Sequence, residues 1–209
     1  MKPECDTKQR LLDTAIDLIW EQSYGAVSVD VICERAGARK GSFYHFFPSK
    51  SDLTVAAIEE HWEKLRPDLD RIFSPQTPPL ERLSRYCDLI CERQRQKMQK
   101  FGRVCGCAFT SLASELSTQD ENIRRKSQQI LDRRCRYFAA ALRDAVREGL
   151  VPEQDCDNKA RELYGCVMGV LVEAKIENNL EIIQHLKPTI FRLIGVGEKQ
   201  FAGETTLHA

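Results

Sequence analysis

Leu12, Ala15, Ile16, Ile19 and Trp20 recur at three- and four-residue intervals, which predicts an amphipathic helix from about Asp6 to Ser23. Asp6 or Thr7 can cap its start, and Tyr24-Gly25 ends it, with Gly25 able to take the left-handed conformation. A second helix is predicted from Ser28 to about Ala36, with Val29, Ile32 and Cys33 inward and Gly37 closing it. A third, short one spans about Lys40 to Phe46, because Pro48 biases Phe47 away from helix. A fourth opens at Ser49, where Ser49 and Asp52 have capping-box spacing with Asp in place of the usual Glu or Gln. Leu53, Ala56, Ala57 and the 59–65 stretch carry that helix to about Arg66, where Pro67 intervenes.

The run SPQTPP at 74–79 is the clearest punctuation in the chain, and everything beyond it again reads as helix. Leu83, Cys87, Ile90 and Cys91 line one side of a helix from Leu80 to about Lys100, and Gly102 and Gly106 flank a break. A shorter helix follows from about Ala108 to Leu116. A long one from Gln119 to Glu148 places Ile123, Ile130, Leu131, Phe138, Leu142 and Val146 inside, and Gly149 and Pro152 end it. The last two helices are predicted at about Asp155 to Asn178 and Leu180 to Gly195. No strand pattern of comparable strength occurs, so the predicted fold class is all-α. A three-helix helix-turn-helix domain (1–48) leads through a connecting helix (49–66) to a helical domain (67–197), followed by a tail (198–209) with little to bury that is expected to fray.

Lys and Arg number 31 and Asp and Glu 31, so the net charge is zero and any attraction to nucleic acid must come from a local patch. Between Arg35 and Ser51 lie Arg35, Arg39, Lys40, His45 and Lys50 and no acid, with aromatic residues set among them, a composition suited to a DNA backbone. No run of about 18 apolar residues indicates a membrane span. The start, MKPECDTKQR, lacks the apolar core of a secretory signal, so a cytoplasmic location is expected.

In a helix-turn-helix the second helix enters the major groove. Arg39 and Lys40 would then reach base edges, where Arg or Lys pairs with guanine O6 and N7, or else form a solvated face. Gly41 lets backbone approach the DNA, and Ser42, Tyr44 and His45 project from the same short helix, with core packing as the rival role of the two aromatics. Phe43, Phe46 and Phe47 read as core. Lys50 stands at a helix N-terminus, where unpaired N–H groups and the dipole favour an anion, and Ser28 can donate to a phosphate in the same way.

The order and spacing of Tyr24-Gly25, Ser28-Val29, Ile32, Ala36-Gly37, Gly41-Ser42, Tyr44-His45-Phe46-Phe47 and Ser49-Lys50 resemble the DNA-binding domain of the TetR family of bacterial one-component transcriptional regulators. The resemblance covers about the first 60 residues, and a weaker echo of one branch of the family occurs at Cys105 to Leu116 (CGCAFTSLASEL). It implies that Tyr44 and Lys50 contact phosphates, that the C-terminal helices bind a small effector and dimerise, and that effector binding moves the fourth helix and relieves repression. One departure concerns Arg39, which stands where family members often carry a small hydroxyl residue that caps the reading helix.

Two apolar stripes mark the last helices as a dimer surface: Leu163, Cys166, Val167, Val170, Leu171 and Ala174 on one, and Ile183, Leu186, Ile190, Leu193 and Ile194 on the other. Gly165 and Gly169, four apart, would permit close approach in a four-helix bundle, while the rival reading assigns the stripes to an intrachain core. A two-fold homodimer would read a pseudo-palindromic operator in double-stranded DNA. The residues expected to line an effector pocket are Trp62, Cys87, Cys91, Phe101, Cys105, Cys107, Phe109, Cys135, Phe138 and Met168, with Tyr137 beside them.

Nine irregularly spaced cysteines do not form a secreted disulfide framework. They read as small core residues, as a thiol switch for oxidants or electrophiles in which Arg103 lowers the pKa of Cys105, or as ligands for a soft metal, for which the spacing is poor. No metal and no cofactor is expected. The chain carries no phosphate loop, no H-E-x-x-H and no G-x-S-x-G, so an enzyme is not expected. The predicted function is a homodimeric repressor released from DNA by a small molecule. The alternatives are a thiol-sensing repressor and an architectural DNA-binding protein without an effector.

Overall fold

The computed structural model describes residues 3–22 and 24–197, all helices and connections, with no strand among them. Ser23 and the tail expected to fray lie outside the described residues, as does the side chain of Cys5. The helices are α1 (Pro3–Glu21), α2 (Val29–Ala36), α3 (Lys40–Phe46), α4 (Lys50–Ile72), α5 (Pro79–Phe101), α6 (Ala108–Leu116), α7 (Glu121–Arg147), α8 (Cys156–Ile176) and α9 (Leu186–Leu193), with 3-10 turns at Tyr24–Ala26 and Glu181–His185. In space the chain divides differently from the linear division at 48 and 66. Residues up to Pro67 group with Cys107–Leu131, and Asp68–Gly106 group with the chain from Asp132 onward.

In the first unit α1, α2, α3 and the start of α4 enclose one core. Leu11, Leu18, Ile32, Phe43, Leu53 and Ala57 are buried there, and Phe46 packs against it half-buried. The helical spacing of these residues puts one apolar stripe from each element on that core. Two expectations at the first helix are corrected. It begins at Pro3, so Asp6 and Thr7 lie inside it, where both engage Arg10. Gly25 sits in the 3-10 turn and is not among the positive-φ glycines. Residues of a 3-10 turn have negative φ, so Gly25 does not take the left-handed conformation.

A third correction concerns α4, which does not stop at Arg66 but runs through Pro67 to Ile72. Pro67 forfeits one helical hydrogen bond, to the carbonyl of Glu63. Burial of Leu69 and Ile72, and of Phe73 just beyond, offsets that loss. The capping box at Ser49 forms by half: Asp52 N–H donates to Ser49 Oγ at 3.1 Å, while the Ser49 hydroxyl itself donates to the Asp52 carboxylate at 2.7 Å.

The second unit is built on α5, the later part of α7, α8 and α9. Its centre is aromatic: Phe138 meets Tyr86 edge-on at 4.8 Å, Phe73 at 5.7 Å and Tyr164 at 6.3 Å. Buried Arg82 pins the SPQTPP segment, donating to the carbonyls of Thr77 (2.7 Å) and Pro75 (3.2 Å) and to Asp144 on α7 (2.6 Å). The helix predicted from Leu180 to Gly195 is two elements, the turn Glu181–His185 and α9. Pro188 has no N–H to give the Gln184 carbonyl, so an α-helical ladder cannot run unbroken across it. Gly106, at φ 65, lies so close to α8 that a Cβ there would meet the Leu171 carbonyl at 3.0 Å.

Candidate nucleic-acid interface

The turn between α2 and α3 is fixed from both sides. Ser28 caps α2, its Oγ accepting the Val31 N–H at 3.2 Å. Gly37 ends it at φ 60, and the Ala38 N–H donates back to the Cys33 carbonyl at 2.9 Å. From α1, Arg10 donates to the Ala36 carbonyl at 2.9 Å. The inner face of α3 is held by Phe43 and Phe47, both buried. Its other face leaves Arg39, Lys40, Gly41, Tyr44 and His45 exposed, with Ser42 half-buried; Tyr44 is 55% exposed, too open to be core. Tyr44 stands edge-on to Phe43 at 5.1 Å and His45 edge-on to Phe46 at 4.9 Å, so the hydrophobic floor orients both rings. A Cβ on Gly41 would meet nothing within 4 Å. Arg39 occupies the N-cap of α3 and makes no side-chain cap hydrogen bond.

The window from Arg35 to Ser51 contains no acid, but the fold brings acids to it. Arg35 forms a two-pronged pair with Glu21 of α1 at 2.5 and 2.6 Å. Lys40 meets Asp30 of α2 at 2.6 Å. Lys50 turns back onto the chain: its Nζ donates to the carbonyls of Val27 (2.8 Å) and Tyr24 (3.0 Å) and lies 3.7 Å from the centre of the Tyr24 ring. Burial lowers the pKa of this ammonium, and the charge of Glu115 opposes the shift. Glu21, Asp30, Arg10 and Glu115 were not singled out from the sequence. A local window shows spacing along the chain and does not show which charges meet across a turn.

Of the residues expected around an effector, Trp62, Cys107 and Phe109 lie in the first unit, and Cys87, Cys91, Phe101, Cys105, Cys135, Phe138 and Met168 in the second. Trp62, Cys87, Cys105, Phe109, Cys135 and Phe138 are buried, and the others half-buried. Phe138 joins the aromatic centre, and Cys87 lies within electrostatic reach of Cys91 and Cys166. Burial pushes the thiols of Cys87, Cys91, Cys135 and Cys166 up, Cys87 well beyond the ordinary range. Cys105 is buried with its Sγ 3.6 Å from the Arg103 carbonyl. Arg134 and Tyr164, which are not among the residues expected around an effector, are both buried and meet at 3.0 Å. The signal was present, since Arg134 falls on the inner stripe of α7 four residues after Ile130 and four before Phe138.

The stripes expected to form the dimer surface are largely turned inward. Leu163, Val167, Leu171, Ile183, Leu186, Ile190 and Ile194 are buried within the single chain, while Cys166 and Val170 are half-buried and Leu193 is exposed. Helical periodicity identifies the widest apolar stripe, and a chain uses that stripe for its own core first. What α8 and α9 leave outward is Val172, Ile176 (77% exposed) and Leu193. On α8, Gly165 and Gly169 are exposed too, and a Cβ on either would meet nothing within 4 Å. Among the described residues no helix is long and apolar enough to cross a membrane, and no group of three or more His, Cys, Asp or Glu is arranged to hold a metal ion.

This geometry agrees with known proteins at both ends of the chain. Residues 11–57 match the family described as bacterial regulatory proteins, tetR family, and residues 79–190 match the tetracyclin repressor-like C-terminal domain. The chain is 26% identical to the HTH-type transcriptional repressor NemR of Escherichia coli K12, over 87% of this chain and 90% of that protein. It is 29% identical to the transcriptional regulator AcuR of Cereibacter sphaeroides, over 81% and 76% respectively. Among solved structures, a regulatory protein TetR from Rhodobacter sphaeroides superposes with a TM-score of 0.77 at 28% identity, covering 88% of this chain and 97% of that one. Reduced E. coli NemR shares the fold, with a TM-score of 0.79 at 22% identity over 92% and 99%. With family matches over both its N-terminal and C-terminal parts, the chain belongs to the TetR family and is a helix-turn-helix DNA-binding transcriptional regulator.

Proposed function

We propose that the protein is a homodimeric repressor that reads a pseudo-palindromic operator through α3 and leaves it when a small molecule binds its C-terminal helices. The observation that carries this reading is the two-sidedness of α3. Phe43 and Phe47 are sunk in the core while Arg39, Lys40, Tyr44 and His45 stand outward around a bare Gly41. Such a helix has one face to fix its position and one to enter a major groove. In this reading Arg39 and Lys40 approach base edges, Tyr44, Lys50 and Ser28 bind phosphates, and His45 and Ser42 flank them.

Dimerisation is assigned to the outward positions Gly165, Gly169, Val172, Ile176 and Leu193, which leave an apolar strip with two gaps where helices can approach. The effector is an apolar or aromatic molecule, given the aromatic composition of the second unit around Phe138. The protein acts by binding rather than by catalysis. The burial of Cys87, Cys91, Cys135 and Cys166, which keeps those thiols protonated, favours packing over sensing as their role.

Light scattering of the protein alone and with a bound duplex tests the assembly. A mass of two chains in solution, and of two or four on one duplex, is expected. One chain per duplex contradicts it.

A further inference from the structure

Glu115 stands in the last turn of α6, and its carboxylate reaches the 3-10 turn that follows α1. Oε2 accepts the Tyr24 N–H at 3.3 Å, and Oε1 accepts the Gly25 N–H at 3.1 Å. These open the turn, where N–H groups have no partner inside the helical ladder. The carbonyl side of the same turn faces Lys50, whose Nζ donates to Tyr24 O at 3.0 Å and Val27 O at 2.8 Å.

The Tyr24 carbonyl and the Gly25 N–H belong to one peptide group, and it is trans. A single peptide therefore carries a carboxylate at its N–H end and an ammonium at its carbonyl end. Each charge polarises the group in the sense that strengthens the other hydrogen bond. The Tyr24 ring closes over the ammonium at 3.7 Å. Two of the three N–H donors of Lys50 go to carbonyls, and the side chain is half-buried rather than enclosed.

We propose that Glu115 is a positioning residue for DNA binding, which acts through the Tyr24–Gly25 peptide to fix the ammonium of Lys50 at the start of α4. The proposal rests on the reading of Lys50 as a phosphate contact. It gives α6 a line to the DNA surface separate from α3: a displacement of α6 that withdraws Glu115 loosens the turn, and Lys50 loses its anchor while the reading helix is untouched.

The test is a double-mutant cycle. Wild type, Glu115→Ala, Glu115→Gln, Lys50→Ala and the Glu115→Ala/Lys50→Ala pair are titrated with random-sequence duplex and with a duplex selected for binding, across a salt series. Glu115→Ala is expected to weaken binding to both duplexes by about tenfold, the scale of one charge-assisted hydrogen bond, without altering preference between them. The loss should vanish in the Lys50→Ala background, and Glu115→Gln, which keeps one acceptor oxygen, should fall between. Equal loss in both backgrounds, or unchanged binding of Glu115→Ala, overturns the proposal. Wild-type affinity of Lys50→Ala overturns the phosphate reading and the proposal with it, whereas a Lys50 effect without coupling to Glu115 overturns the proposal alone. If circular dichroism shows Glu115→Ala unfolded, Glu115→Gln carries the same cycle.

Discussion

Lys40, the first residue of α3, is ion-paired to Asp30 of α2 at 2.6 Å, with both side chains largely in solvent. One charge of α3 is thus already matched, and its partner is an acid that approaching phosphates would repel. In solvent such a pair contributes little to stability, so its consequence lies in binding.

Replacing Asp30 with Asn is expected to tighten binding to any duplex. It should also steepen the dependence of log affinity on log salt, because an acid beside the DNA is removed. Fluorescence anisotropy across a salt series measures both. Weaker binding of Asp30→Asn contradicts this and means that Lys40 needs the pair to hold its position.

The core of the second unit holds Arg134 against the Tyr164 hydroxyl at 3.0 Å, with the guanidinium 5.7 Å from the ring. Tyr164→Phe keeps the ring and removes the acceptor from a buried cation. A loss of about 1–3 kcal/mol of stability is expected in urea unfolding. A neutral result means that the guanidinium is satisfied without the hydroxyl.

Asp144, hydrogen-bonded to Arg82, and Asp68, hydrogen-bonded to Arg71 and Arg93, both have carboxyls held below the usual aspartate range. A depressed folded-state pKa stabilises above the unfolded value, about 3.9, and the contribution is lost as pH falls from there through the folded value. The urea midpoint should therefore drop on acidification below about pH 4. Asp144→Asn should be less stable than wild type at neutral pH and lose less on acidification. A parallel acid loss in mutant and wild type removes Asp144 from the account.

Gly169 on α8 is exposed, and a Cβ there would touch nothing in its own chain. Gly169→Glu should leave the chain folded and, if helices meet at this strip, convert a dimer to a monomer by light scattering. A dimer that survives both Gly169→Glu and Gly165→Glu places the subunit contact elsewhere.

Much of this architecture was legible in the chain because it is written in local periodicity. The spacing of Val29, Ile32 and Cys33, the stop at Gly37 and the crowding of Phe43, Phe46 and Phe47 define α2, the turn and α3 without reference to anything distant. The errors arose where tertiary burial overrode a local rule, as when Leu69 and Ile72 drew α4 through Pro67. Elsewhere one pattern serves two purposes. Leu163, Val167 and Leu171 have the spacing of an interface but are consumed by the chain's own core, so the outward strip falls on Val172, Ile176 and two glycines. The pairings Arg35–Glu21, Lys40–Asp30 and Glu115–Gly25 join residues 14, 10 and 90 positions apart, and no rule of spacing along one helix anticipates them.

The central claim, that a symmetric pair of α3 helices reads DNA, is tested most directly by selecting bound sequences from random duplex DNA with the purified full chain. The expected result is an inverted repeat whose half-sites are centred about one helical turn, ~34–36 Å, or a multiple of it apart, and whose preference changes in Lys40→Ala. Recovery of no motif, or of a single unrepeated half-site, would contradict it.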